Sequence, residues 1–175
     1  MSDLIESVKA TIRDVPDFPK PGILFKDITP VLAAPALMQG ITDHFAGRFG
    51  DAGIDAVVGM ESRGFIFGTP LAMALNAAFV PARKPGKLPW RSIGYEYALE
   101  YGTNRLEVHT DAVAPGQKVL IVDDLLATGG TAEATGKLVE QLGGEVVGYA
   151  FVIELGFLDG RAKLGGKPVD SLVIY

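Results

Sequence analysis

Residues 118–138 read KVLIVDDLLATGGTAEATGKL. A run of apolar residues, Val119 to Val122, ends in two adjacent acids, Asp123 and Asp124. A small-residue turn follows, Ala127-Thr128-Gly129-Gly130-Thr131, and then a helical pattern begins. The order is buried strand, acids, turn, helix. Glycines in such a turn let backbone N–H groups approach an anion, threonines add hydroxyl donors, and the helix points its positive end at the same spot. The acids would repel that anion, but a carboxylate accepts hydrogen bonds from neighbouring hydroxyls. Together they suit a ribose phosphate, with phosphate on residues 127–131 and hydroxyls on Asp123 and Asp124. An ordinary strand–turn–helix explains a lone Gly-Gly pair but not the whole set in this order.

Working outward, short apolar strands alternate with helical patterns. IDAVVGM, AAFVPA, KVLIVDD, VVGYAFVIEL and SLVIY read as strands. Helices are predicted over the first fourteen residues, from Pro35 past Phe45, after the ESRG turn, and in TAEATGKLVEQL with Gly143-Gly144 as its stop. This alternation predicts a doubly wound α/β domain with a mainly parallel sheet in the order 2-1-3-4-5. Four prolines between residues 14 and 30 mark that stretch as largely loop. Residues 85–110 contain the aromatic alternation of YEYALEYG and RLEVHT, which reads as a long flexible flap hairpin.

The chain has 175 residues, enough for one domain with a sizeable core. A net charge of −5 argues against a nucleic-acid face. There is no cysteine, and no apolar run reaches the ~18 residues of a membrane span. No secretory signal pattern opens the chain, so a cytoplasmic protein is expected. The two histidines, His44 and His109, suggest neither a triad nor a metal site. Gly130 and Gly136 have five intervening residues, and Lys137 is followed by Leu138, so GGTAEATGKL is not a P-loop.

Two further loops carry cations at strand ends. Arg63 lies in GMESRGFIFG, where a guanidinium can grip phosphate oxygens in pairs. Arg83, Lys84 and Lys87 cluster in PARKPGKLPW, which makes a second, more highly charged anion such as diphosphate plausible.

These residues carry a specific resemblance. VLIVDDLLATGGT is similar to the phosphoribosyl-diphosphate motif of the type I phosphoribosyltransferases. FPKPGILFKDITPVL, ESRGFIFG, RKPGKLP and YALEYG resemble the adenine-specific branch of that family. The resemblance implies transfer of a 5-phosphoribosyl group from phosphoribosyl diphosphate to adenine, giving AMP and diphosphate, with Mg²⁺ bound mainly through the diphosphate. It implies one domain, 1–175, with a base-binding hood at 1–34 and the flap at 85–110. By resemblance, Asp123, Asp124, Ala127, Thr128, Gly129, Gly130 and Thr131 would hold the ribose 5-phosphate. Arg63, Arg83 and Lys87 would hold the diphosphate, and Leu24, Phe25 and Lys26 the adenine. Glu100 would be the acid/base carboxylate, with Tyr101 beside it in the flap. A homodimer and a cis Glu61–Ser62 peptide are also implied. Lys26 and Glu61 depart from the family's frequent Arg and Asp. A non-catalytic sensor of phosphoribosyl diphosphate and a sister transferase for 6-oxopurines or orotate are the competing readings. Retention of Glu100 and the cationic loop speaks against the first, and the residues around Phe25 and Glu100 against the second.

Overall fold

A computed structural model describes residues 2–98 and 103–175. Five strands form one parallel sheet: β3 (Ala56–Met60), β4 (Ala78–Ala82), β7 (Lys118–Leu126), β8 (Glu145–Glu154) and β9 (Val169–Ile174). Their order is β4-β3-β7-β8-β9, the expected 2-1-3-4-5. The strands are apolar on both faces, as a sheet covered on both sides requires. β3 is buried at every position.

Alternate residues on these strands build two cores. On one face Val57, Leu120, Val122, Ala150 and Val152 pack with three helices: α1 (Ser2–Thr11) through Val8, α3 (Pro35–Phe49) through Ile41 and Phe45, and α4 (Gly64–Ala74) through Phe67 and Leu71. The short α2 (Thr29–Leu32) adds Val31. On the other face Val58, Ile121, Tyr149 and Phe151 pack with α5 (Gly130–Gln141) through Leu138 and Val139. A full burial of such a side chain contributes about 1.5–3 kcal/mol, so the two clusters fix the strand ends that carry the loops. The helix after β3 and the helix after β7 lie on opposite faces, which opens a crevice between these two neighbouring strands.

A two-stranded antiparallel hairpin, β5 (Ser92–Ala98) with β6 (Thr103–His109), corresponds to the expected flap. Leu106 and Val108 seat it on the second core, and main-chain bonds between Arg83 and Glu107 fasten it to the end of β4. Residues 99–102, which include Glu100 and Tyr101, lie outside the described residues.

The structure corrects several boundaries. The first helix stops at Thr11 rather than running through residue 14. The stretch expected to be loop contains β1 (Arg13–Pro16) paired antiparallel with β2 (Leu24–Asp27). The prolines do not prevent this pairing. Pro16 ends its strand, while Pro19 and Pro21 fall in the turn, where Asp17 accepts the Gly22 N–H at 2.7 Å. β7 continues through both acids to Leu126, because Leu125 and Leu126 stay in register with Ile153 and Glu154. Among the described residues no helix is long and apolar enough to cross a membrane.

Candidate active site

The carboxyl ends of β3 and β7 lie side by side, with Gly59 in register with Val122. Their loops enclose a cleft of about 200 Å³, lined by Arg63, Asp123, Asp124 and all of residues 127–131. An adjoining cavity of about 250 Å³ shares Arg63 and both acids and adds Glu61, Ser62 and Lys84. Arg63 and the small-residue turn, separated by more than sixty positions in sequence, therefore face one space.

The turn has features that suit an anion. Gly129 has φ +80°, a left-handed conformation that suits glycine, and it delivers the chain into α5 at Gly130. The first N–H groups of a helix have no intrahelical acceptor and carry the positive end of the helix dipole. Thr131 adds a hydroxyl whose oxygen is 3.2 Å from the Tyr97 hydroxyl of β5. The flap hairpin thus touches the turn through its last described stretch.

The acids have different surroundings. Asp124 is buried, and its Oδ2 pairs with Arg63 Nε at 2.5 Å. Asp123 Oδ1 accepts the Asp124 N–H at 2.9 Å. Burial, and then the neighbouring Asp124 carboxylate, push the Asp123 carboxyl well above the usual carboxylate range. Arg63 stands just before α4, with its guanidinium carbon 5.8 Å from the Phe25 ring centre. The N-terminal hairpin is thereby brought to the same place.

Strand alternation sorts the three hairpin residues. Phe25 turns toward Arg63, whereas the Lys26 ammonium pairs with Asp14 at 2.6 Å and sits 3.9 Å from the Tyr175 ring centre. Leu24 is about half exposed, at 51%.

The cationic loop divides likewise. Arg83 donates from Nε to Glu61 at 3.2 Å and from a terminal nitrogen to the Lys87 carbonyl at 3.1 Å. The Lys84 N–H donates to the same Glu61 oxygen at 2.9 Å. Burial works to raise the Glu61 carboxyl, but the bonds from Lys84 and Arg83 outweigh it and leave it below its ordinary value. Neither Arg83 nor Lys87 lines either cavity, while Lys84 does. Lys84 is the residue that sequence reasoning placed in the cluster without giving it a site role. The available signal was Glu61, whose charge draws the neighbouring arginine to itself. The Glu61–Ser62 peptide is cis, as expected.

Comparison with known proteins gives this geometry a family. Residues 27–169 match the phosphoribosyl transferase domain. A protein of Anaeromyxobacter sp. (strain Fw109-5) named adenine phosphoribosyltransferase is 57% identical over 175 residues, covering 100% of this chain and 99% of its own. The chain belongs to the adenine phosphoribosyltransferase family. The crystal structure of adenine phosphoribosyltransferase from Rhodothermus marinus has a TM-score of 0.95 at 53% identity and covers 100% of both chains. The Saccharomyces cerevisiae adenine phosphoribosyltransferase, complexed with adenine and an imino-altritol bisphosphate, has a TM-score of 0.93 at 44% identity, covering 98% of this chain and 99% of its own. The two residues set apart in the sequence, Lys26 and Glu61, both have local partners: Lys26 pairs with Asp14 and lies over the Tyr175 ring, and Glu61 is fastened to the cationic loop.

Proposed function

We propose that this chain transfers the 5-phosphoribosyl group of phosphoribosyl diphosphate to adenine, yielding AMP and diphosphate in purine salvage. The observation that carries the reading is the convergence of Arg63, Asp123, Asp124 and residues 127–131 on one cleft, with Phe25 against Arg63.

In this reading Ala127, Thr128, Gly129, Gly130 and Thr131 hold the 5-phosphate, and Asp123 and Asp124 accept from the ribose hydroxyls. Arg63 keeps its Nε–H on Asp124 and offers its terminal N–H groups to the diphosphate. Lys84 lies on the same cavity and adds positive charge, with Arg83 and Lys87 behind it. Leu24, Phe25 and Lys26 form the adenine pocket, where the Phe25 ring stacks on the base and the backbone reads its edge, Lys26 contributing through its backbone because its side chain is turned to Asp14 and Tyr175. Residues 1–34 act as the hood and 85–110 as the flap. Glu100 takes the N9 proton of adenine, with Tyr101 beside it.

C1 of the ribose develops positive charge as diphosphate departs, so the chain contributes chiefly positioning and charge stabilisation. Flap closure would keep water from C1. Among the described residues no group of three or more His, Asp or Glu side chains is gathered as a metal cage. Mg²⁺ typically binds through one or two carboxylates plus substrate phosphates, and the Asp123–Asp124 pair beside the cationic cavity fits that donor set. Bound there, Mg²⁺ would neutralise charge on the diphosphate. We take the working form to be a cytoplasmic homodimer, and light scattering at micromolar concentration should give twice the 18.5 kDa chain mass.

A base panel tests the reading. The protein is mixed with phosphoribosyl diphosphate, Mg²⁺ and one of adenine, hypoxanthine, guanine or orotate. AMP and diphosphate should form with adenine. Nucleotide only from another base would favour the sister transferases, and binding without any nucleotide would favour the non-catalytic sensor.

A further inference from the structure

The phosphate turn does not stand alone. The segment between β8 and β9 passes directly against it. A Cβ on Gly129 would overlap the Gly160 carbonyl oxygen and stand 3.2 Å from the Gly160 Cα. A Cβ on Gly160 would overlap the Ala127 carbonyl oxygen and stand 3.1 Å from the Gly129 nitrogen. The two backbones meet with no room for a side chain between them. Because the positive φ of Gly129 sets the direction of the turn, the opposing backbone limits how far the turn can shift.

The segment is itself fixed at three points. At its start the Leu155 N–H donates to Leu126 at 2.9 Å and the Gly156 N–H to Tyr175 at 3.0 Å. In its middle Arg161 grips the buried Glu154 with two bonds, from Nε at 2.7 Å and from a terminal nitrogen at 2.6 Å. Its other terminal nitrogen donates to the Val169 carbonyl at 3.1 Å. Beyond it Leu164 is buried in the second core. Residue 160 is therefore held beside a two-bonded ion pair to the end of β8 and a carbonyl on β9.

We propose that Gly160 is a positioning residue for the phosphate turn, and that the Glu154–Arg161 clip holds the residue 160 backbone as a buttress that keeps the N–H groups of residues 127–131 aligned on a sugar 5-phosphate. The proposal rests on the transfer reading above. Glu154, Gly160 and Arg161 do not line the cleft. The buttress acts through the turn, on the cleft that residues 127–131 line, while Glu61, Ser62 and Lys84 line only the adjoining cavity and come from different elements.

The test separates the two halves. Titration calorimetry measures ribose 5-phosphate and, separately, inorganic diphosphate binding to wild type, Gly160→Ala and Arg161→Lys, with thermal melts as a check on folding. Arg161→Lys keeps the charge but cannot form the paired bond. Gly160→Ala should weaken ribose 5-phosphate roughly 10-fold or more, since an ångström of misplacement can cost about 10²-fold. Diphosphate affinity should stay within about 2-fold, and the KM for phosphoribosyl diphosphate should rise more than kcat falls. Arg161→Lys should show the same split more weakly, and it decides the matter if Gly160→Ala does not fold. Equal loss of both ligands, or loss of neither, overturns the buttress. Failure of the transfer reading is distinguishable, because wild type would then bind ribose 5-phosphate yet make no AMP from adenine.

Discussion

Asp123 and Asp124 are neighbours with opposite circumstances. Asp124 is buried but compensated by Arg63, whereas Asp123 is desolvated beside a like charge. A carboxyl whose folded pKa is raised holds its proton more tightly when folded. Its contribution to stability is therefore complete below the unfolded pKa and is lost as pH rises through the folded one. The ligand-free protein should gain stability on mild acidification into that window above the ordinary carboxylate range. Asp123→Asn removes the ionisable group but keeps an oxygen for the Asp124 N–H. Its melting temperature at slightly alkaline pH should exceed that of wild type, and, on the proposed role of Asp123 toward the ribose, the KM for phosphoribosyl diphosphate should rise. A lower melting temperature would show that Asp123 is not the strained member of the pair. Glu100→Gln belongs at the same scale. Lost acid–base help is worth about 10²–10⁴ in rate, so kcat should fall by roughly that much while phosphoribosyl-diphosphate affinity stays close to wild type. Near-normal turnover would remove Glu100 from the chemistry.

The β1–β2 hairpin shows how side-chain parity divides labour within one element. Phe25 faces Arg63, and Lys26 faces away toward Asp14 and Tyr175. Base–aromatic stacking is worth about 1–3 kcal/mol, so Phe25→Ala should raise the adenine KM roughly ten- to a hundredfold with little change for phosphoribosyl diphosphate. Lys26→Met should affect stability rather than adenine binding. It should lower the melting temperature by roughly 2–4 °C per kcal/mol lost and leave the adenine KM within about 2-fold, as expected for an ion pair and ring contact of order 1 kcal/mol. An equal rise in adenine KM from both changes would contradict the assignment of faces. This hairpin was not legible as an element, because prolines and glycine dominate its turn and its strands are only four residues long. β3 and β7 were legible, since short runs without a charge, AVVGM in β3 and VLIV in β7, belong in the middle of a covered sheet. The end of β7 was not, because its last residues are held by pairing with β8, a partner distant in sequence. Which of residues 83–87 lines the cavity was hidden for a related reason: Arg83 is held by Glu61, twenty-two positions earlier, and Lys84 faces the cavity instead. The turn at 127–131 was legible as a strand–turn–helix junction, since its conformation depends on local residues such as Gly129.

At the scale of the whole molecule, the strand order does the assembling. Because β3 and β7 are neighbours with their helices on opposite faces, loops from residues 61–63 and 127–131 meet in one crevice. The N-terminal hairpin reaches it through Phe25, the flap hairpin through Tyr97, and the segment before β9 through Gly160. These three peripheral segments are thus attached to residues around the same switch point, an arrangement that suits transfer between two substrates. The most direct measurement is a crystal structure of the chain with AMP and diphosphate. The 5-phosphate should lie on the backbone N–H groups of residues 127–131, the ribose hydroxyls on Asp123 and Asp124, the adenine ring against Phe25, and the diphosphate beside Arg63 and Lys84. AMP bound with its phosphate away from residues 127–131, or with its base turned away from Phe25, would contradict the account.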